Sequence, residues 1–212
     1  MSASLGLAEA LAEALDARDR YTAGHSLRVS DYAEAVACEL QLASRQIEII
    51  RLAAWLHDVG KIGIPDAVLL KPGPLTAEEF GLIKLHPQIG RRILERAPGL
   101  EPLLEAVELH HENFDGTGYP YGIAGERIPL DARIIRVADA FDAMTTDRAY
   151  RPALTPESAM KIIETGSGKE FDPVCAAALL RILRGRNRRE LSGAAAADLF
   201  SARRPAAEKA IA

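Results

Sequence analysis

Apolar residues recur at intervals of three and four along most of the chain. Leu5, Ala8, Leu11, Ala12 and Leu15 share one helical face. So do Leu27, Val29, Tyr32, Ala33, Val36 and Leu40, and then Ile47, Ile50, Ala53, Ala54 and His57. That spacing predicts amphipathic helices. Thr76-Ala77-Glu78-Glu79 has the form of a capping box and opens a helix through Phe80, Ile83 and Leu85. Pro87 disfavours helical geometry at His86, which predicts a kink or a restart there. Further helices fit 101–112, 131–146, 155–165 and 173–184. Two stretches break the pattern: Ile62-Gly63-Ile64-Pro65-Asp66 with the following Lys71-Pro72-Gly73-Pro74, and the turn-dense run from Asp115 to Gly122. A short strand pair is expected within Ile123 to Pro129.

Composition narrows the class. At 212 residues the chain is one domain, with or without appendages. A hydrophobic share of 48% with 26% charged residues excludes a disordered chain. The balance of 26 basic against 30 acidic residues, net −4, argues against a domain that coats a large nucleic acid. It leaves room for a nucleotide substrate, because bound metal can supply positive charge. Cys38 and Cys175 each sit among apolar neighbours and are expected as buried thiols. There is no basic stretch at the N-terminus and no apolar run near the ~18 residues of a membrane span, so a soluble, cytoplasmic protein with no membrane partner is expected. Arg181, Arg184, Arg186, Arg188 and Arg189 cluster near a helix C-terminus, where they suit the dipole.

The histidines carry the chemistry. His25 stands four residues before Val29, His57 four after Ala53, His86 three after Ile83, and His110 and His111 three and four after Val107. All five fall on or beside the core face of their helices. A lone imidazole in such a place is usually a satisfied core side chain. Five of five point to metal ligation instead. Asp58 follows His57, and Asp139 and Asp142 share the polar stripe of an otherwise apolar helix. Buried carboxylates are rare unless paired or coordinated. Five imidazoles and two carboxylates suit two ions with a bridging carboxylate, an arrangement of phosphoester hydrolysis with metals ~3.5–4 Å apart. Mixed N/O ligation favours Fe or Mn over a structural zinc.

These residues resemble the HD phosphohydrolases through His57-Asp58-Val59-Gly60-Lys61. His86-Pro87, the run from His110 to Pro120, Ile128-Pro129, Val137-Ala138-Asp139, Arg148-Ala149-Tyr150-Arg151 and Phe171-Asp172-Pro173 extend the match to the HD-GYP subfamily. It covers roughly 10–180, so a domain over 1–184 and an Ala/Arg-rich tail over 185–212 are expected. The resemblance implies an all-α HD-domain helical bundle with a short irregular or hairpin segment after the Gly-Tyr-Pro loop. It implies hydrolysis of cyclic di-GMP to pGpG and, in many members, on to GMP. Carried over, the metal ligands are His25, His57, Asp58, His86, His110, His111 and Asp139, with Asp58 bridging. Lys61 contacts the scissile phosphate, Tyr119 borders the substrate groove, and Arg148 and Arg151 hold the far phosphate or guanine. Some members add a Glu four residues before the first histidine for a third metal; Tyr21 stands there. A phenol, with its pKa of ~10, is a poor ligand, so two ions are expected. The proton donor to the departing 3′ oxygen stays open between Asp115, Tyr119 and water. The resemblance adds a diguanylate cyclase domain protein as a partner and a homodimer as an assembly. Turnover of another cyclic dinucleotide or a nucleotide, or a receptor module with little turnover, are the competing readings.

Overall fold

The computed structural model of the protein describes residues 2–18, 24–147 and 152–191. Ten helices follow one another among them: α1 (Ser2–Arg18), α2 (His25–Glu39), α3 (Ser44–Leu56), α4 (Asp66–Leu69), α5 (Ala77–Ile83), α6 (His86–Leu94), α7 (Leu104–Leu109), α8 (Leu130–Thr145), α9 (Pro156–Gly166) and α10 (Pro173–Leu191). Short 3-10 turns lie at Val59–Gly63, Glu101–Leu103 and Gly125–Arg127.

The apolar run of α8 explains its place. Ala132, Ile134, Ile135, Val137, Ala138, Phe141 and Met144 are all buried, because α2, α3, α7, α9 and α10 pack around it. Each fully buried Ile or Phe of this kind contributes about 1.5–3 kcal/mol. Asp139 and Asp142 go inward with them. A helix with apolar residues on most of its circumference thus carries two carboxylates into the core.

The segment after α3 sets the site. His57 closes α3, and Asp58 opens the 3-10 turn Val59–Gly63. The start of α6 lies directly on this turn. A Cβ on Gly60 would come 1.8 Å from the His86 carbonyl oxygen and 2.4 Å from Gly90 N. Only glycine permits that approach, which brings His86 beside Asp58. Gly60→Ala is expected to destabilise the protein by about 1–3 kcal/mol or more through overpacking and to weaken metal retention with it. Chemical denaturation and metal analysis of the purified variant measure both; an unchanged midpoint would show that α6 can yield. From the other side Arg18, at the end of α1, donates to the carbonyls of Lys61 (3.0 Å), Ile62 and Ile64 (2.5 Å) and pairs with Asp66 (2.6 Å).

Several expectations are met in detail. The capping box at α5 is complete: Glu79 N donates to Thr76 Oγ1 (3.2 Å) and Thr76 N to Glu79 Oε2 (2.8 Å). The chain restarts at His86 with Pro87 in the first turn of α6. Others are corrected. No strand pair forms over 123–129; Gly125–Arg127 is a 3-10 turn, and the only bridge among the described residues joins Ser167 and Phe171. The segment passes once, held by Gly125 N on the Phe114 carbonyl and by buried Ile128, with no second strand beside it. The helix expected over 101–112 begins as a 3-10 turn containing Pro102 and ends at Leu109. Leu27 is 52% exposed, since the inner stripe of α2 runs through His25, Val29, Ala33 and Val36. Cys38 is exposed, while Cys175 is buried; neither is in a disulfide. α5 buries no residue and leaves Phe80 outside. Arg181 and Arg184 pair with Glu39 and Glu164. No described helix is long and apolar enough to cross a membrane.

Candidate metal centre

Four helix ends converge on one buried point. His25 begins α2, His57 ends α3, His86 begins α6, and His110 with His111 follows α7. His25, His57, His86 and His110 are buried, and His111 is half-buried. Asp58 and Asp139 lie among them, both buried. All seven ligands expected from the sequence are therefore brought together.

The imidazoles are oriented alike. Nδ1–H of His57 donates to the Ala54 carbonyl (2.6 Å), that of His86 to Ile83 (2.8 Å) and that of His110 to Val107 (2.7 Å). A carbonyl only accepts, so each Nδ1 carries a proton, and Nε2 of each ring is turned inward. His25 is tied differently: its Nδ1 meets Asp142 Oδ2 at 2.7 Å. Asp142 in turn takes the Arg28 guanidinium (2.7 and 3.0 Å).

What the inward nitrogens face is the test for metal. His57 Nε2 is buried without a hydrogen-bond partner. Nε2 of His86 and Nε2 of His110 stand 3.4 Å apart. Two lone pairs at that distance repel unless a cation or a proton lies between them. Asp58 turns Oδ2 towards His57 Nε2 (3.4 Å) and Oδ1 towards His86 Nε2 (3.2 Å), and Asp139 Oδ1 is 3.2 Å from His25 Nε2. Ligand atoms of Asp58, His86, His110 and His111 form one group within 4.8 Å of each other, and those of His25, His57 and Asp58 another. Asp58 is common to both. These residues fit divalent metal ions.

The electrostatics agree. Burial holds His86 down to about 4 and His111 to about 3, and it also lowers His110, helped by neighbouring imidazoles. These three rings are neutral near pH 7. Burial alone would lower His25 too, but the bonds to Asp139 and Asp142 raise it to about 9. Burial opposes ionisation of Asp58 and Asp139, yet Lys61 and neighbouring imidazoles hold Asp58, and His25, His57 and His111 hold Asp139, well below the usual carboxylate range. The result is a pair of buried anions beside neutral imidazoles that offer lone pairs, a donor set suited to cations.

The remaining expected site residues are placed as follows. Lys61, in the 3-10 turn, sets Nζ 2.6 Å from Asp58 Oδ2. Tyr119 stacks on His111, with centroids 4.7 Å apart and an interplanar angle of 23°. Burial, with the charges of Asp58 and Asp139, pushes its phenol well above the ordinary value, so it keeps its proton. Asp115 is exposed; its carboxyl accepts from Thr117 N (3.0 Å) and Oγ1 (2.7 Å) and is lowered by those bonds. Arg148, Arg151 and Tyr21 lie outside the described residues.

Three supporting residues were absent from the expected set. Asp142 orients His25; its inward position on α8 was visible, its partner was not. Glu112 is buried, and its Oε1 accepts from Tyr121 N (2.7 Å) and Gly122 N (3.1 Å), which folds the loop back over His111. Tyr119 N donates to the His111 carbonyl (3.1 Å), and a Cβ on Gly118 would come 2.2 Å from Asn113 N. Gly118 thereby lets Tyr119 reach its stacking position. Asp172, within Phe171-Asp172-Pro173, accepts from Val174 N (2.6 Å) and Cys175 N (3.0 Å) and pairs with Arg133, so that motif is a helix cap.

With this fold and cluster in view, the family is plain: residues 9–175 match the HD domain model, and the chain belongs to the HD domain family. It is 46% identical over 173 residues to the cyclic di-GMP phosphodiesterase response regulator RpfG of Xanthomonas campestris, covering 81% of this chain and 46% of that protein. It is 40% identical over 174 residues to the 3′3′-cGAMP-specific phosphodiesterase 3 of Vibrio cholerae, covering 82% and 38%. Among solved structures, Bd1817, an HD-GYP-type protein of Bdellovibrio bacteriovorus, superposes with a TM-score of 0.62 at 24% identity over 76% of this chain and 52% of that one, which supports the fold. The chain spans less than half the length of these two curated relatives.

Proposed function

We propose that this chain is a metal-dependent phosphodiesterase domain that hydrolyses cyclic di-GMP to pGpG. His25, His57, Asp58, His86, His110, His111 and Asp139 would hold two ions, Fe or Mn by donor type. The observation that carries this reading is Asp58, whose two oxygens divide between two imidazole groups. Bound there, divalent ions supply Lewis acidity towards a phosphoryl oxygen and a nucleophile at neutral pH.

The chain's own residues do the rest. The carbonyl-tethered imidazoles keep their lone pairs fixed, so little reorganisation is needed on binding. Lys61 Nζ, beside Asp58, is placed to donate to a non-bridging oxygen of the phosphate held against the cluster. Tyr119 carries a protonated phenol at the rim, whereas Asp115 is ionised and occupied by Thr117. That weighs against Asp115 as the source of the proton for the departing 3′ oxygen.

A second reading is 3′3′-cGAMP as substrate, favoured by the likeness to a phosphodiesterase named for it. A third is binding without turnover. Metal analysis of protein purified under reducing conditions, with product analysis on both dinucleotides, separates them. We expect close to two transition-metal ions per chain and pGpG from cyclic di-GMP. Three ions, or a single zinc, would sink the binuclear reading; binding without product in metal-replete protein would favour a receptor.

A further inference from the structure

Beside the cluster lies a cavity of about 400 Å³, within the range of small-molecule sites. Asp139 is among its lining residues, so it adjoins the candidate metal centre. Ala140, Met144 and Ile162 give it apolar walls, and Arg136 and Glu170 stand in its lining as a charged pair. Arg136 is fixed from three sides. Its Nε and Nη2 both reach Asn113 Oδ1 at 3.2 Å, Nη2 also meets Glu170 Oε1, and the guanidinium lies over the Phe171 ring, 5.5 Å from the centroid. Nη1 has no partner among the described residues, and no bond to Glu170 Oε2 is formed there either. The pair thus leaves a donor, Nη1, and an acceptor, Oε2, without a partner among the described residues in the lining of the cavity.

That order of donor and acceptor has a natural complement. Guanine offers O6, an acceptor, next to N1–H and N2–H, which are donors. Adenine presents the reverse, an N6–H donor next to the N1 acceptor. We propose that this cavity is a guanine subsite in which Arg136 Nη1 donates to O6 and Glu170 accepts from N1–H, setting base preference. The proposal rests on the phosphodiesterase reading only for the location of the phosphate; the base chemistry stands on the pair itself. An adenine there would oppose donor to donor and acceptor to acceptor, the mismatch by which polar sites reject analogues strongly.

The test uses the full metal-loaded chain, with turnover of cyclic di-GMP and cyclic di-AMP and calorimetric binding of GMP and AMP. Wild type is expected to bind GMP at least about 10-fold more tightly than AMP. Arg136→Met should raise KM for cyclic di-GMP about 10-fold, with kcat and metal content within about twofold. Glu170→Gln, at a half-exposed side chain, keeps one acceptor oxygen for Arg136 and puts an amide donor in place of the other, so it should move preference towards adenine. GMP and AMP bound alike by wild type, or preference unmoved by Glu170→Gln, overturns the subsite. If Arg136→Met loses its fold or its metal, Glu170→Gln decides alone. Selective, Arg136-dependent binding of GMP with no hydrolysis of any cyclic dinucleotide would keep the subsite and discard the phosphodiesterase reading. Hydrolysis with no base selectivity would do the opposite.

Discussion

Asp58→Ala loses both metal ions together, and turnover falls by at least about 10³-fold, several kcal/mol of transition-state stabilisation. The argument is geometric. Asp58 is the only residue shared by the two ligand groups, with one oxygen towards His57 and the other towards His86. A terminal ligand lost from one ion would leave the other in place. A shared one leaves each ion short of an anionic donor in a buried site, where charge neutralisation is most needed. Asp58→Asn keeps the shape and removes the charge, so it should retain more structure and hardly more metal. Elemental analysis after gel filtration, with a thermal melt to confirm folding, reads the result. One ion at full occupancy with unchanged turnover would show that Asp58 does not bridge.

Lys61→Ala should keep its metal and lower kcat by about 10²–10³-fold, the usual effect of deleting one fixed charge donor at a developing oxyanion. The residue belongs to the 3-10 turn that begins at Asp58, not to the helix of His57, so its ammonium is aimed by that turn. Its Nζ lies on Asp58 Oδ2 at 2.6 Å, which gives it a rival role as a mere counter-ion to that carboxylate. The two roles part when metal is present. A counter-ion becomes redundant once cations occupy the cluster, and Lys61→Ala would then turn over normally. A phosphate contact is needed only in the loaded enzyme. Lys161→Ala, an exposed lysine on α9, is the control and should change nothing. Equal losses at both lysines would remove the case for a specific contact.

The site was more legible in the sequence than its surroundings, for a physical reason. The candidate ligand histidines sit where a helix meets the core, so apolar spacing points at them: Val29 after His25, Ala53 before His57. The same spacing placed Leu27 inside, but three apolar neighbours on α2 already fill the inner stripe, and Leu27 is left outside. Cys38 failed likewise, since a helix residue among apolar neighbours can still face water. Glu112, Asp142 and Arg136 act through partners far along the chain or through loop backbone, and no periodicity encodes such contacts. The segment after the Gly-Tyr-Pro loop misled because Ile123 and Ile128 resemble strand residues; pairing requires a second segment, and none lies alongside.

The tethering of the imidazoles also bears on how such a centre tolerates sequence drift. His57, His86 and His110 are each steered by the main-chain oxygen of the third residue before them. A main-chain oxygen survives every side-chain replacement at Ala54, Ile83 or Val107, so three of the five rings are guided by something point mutation cannot delete. His25 depends on the side chain of Asp142, which one nucleotide change can remove. The centre therefore has one evolutionarily soft corner, and divergence in metal number or affinity among descendants of this chain should accumulate there first.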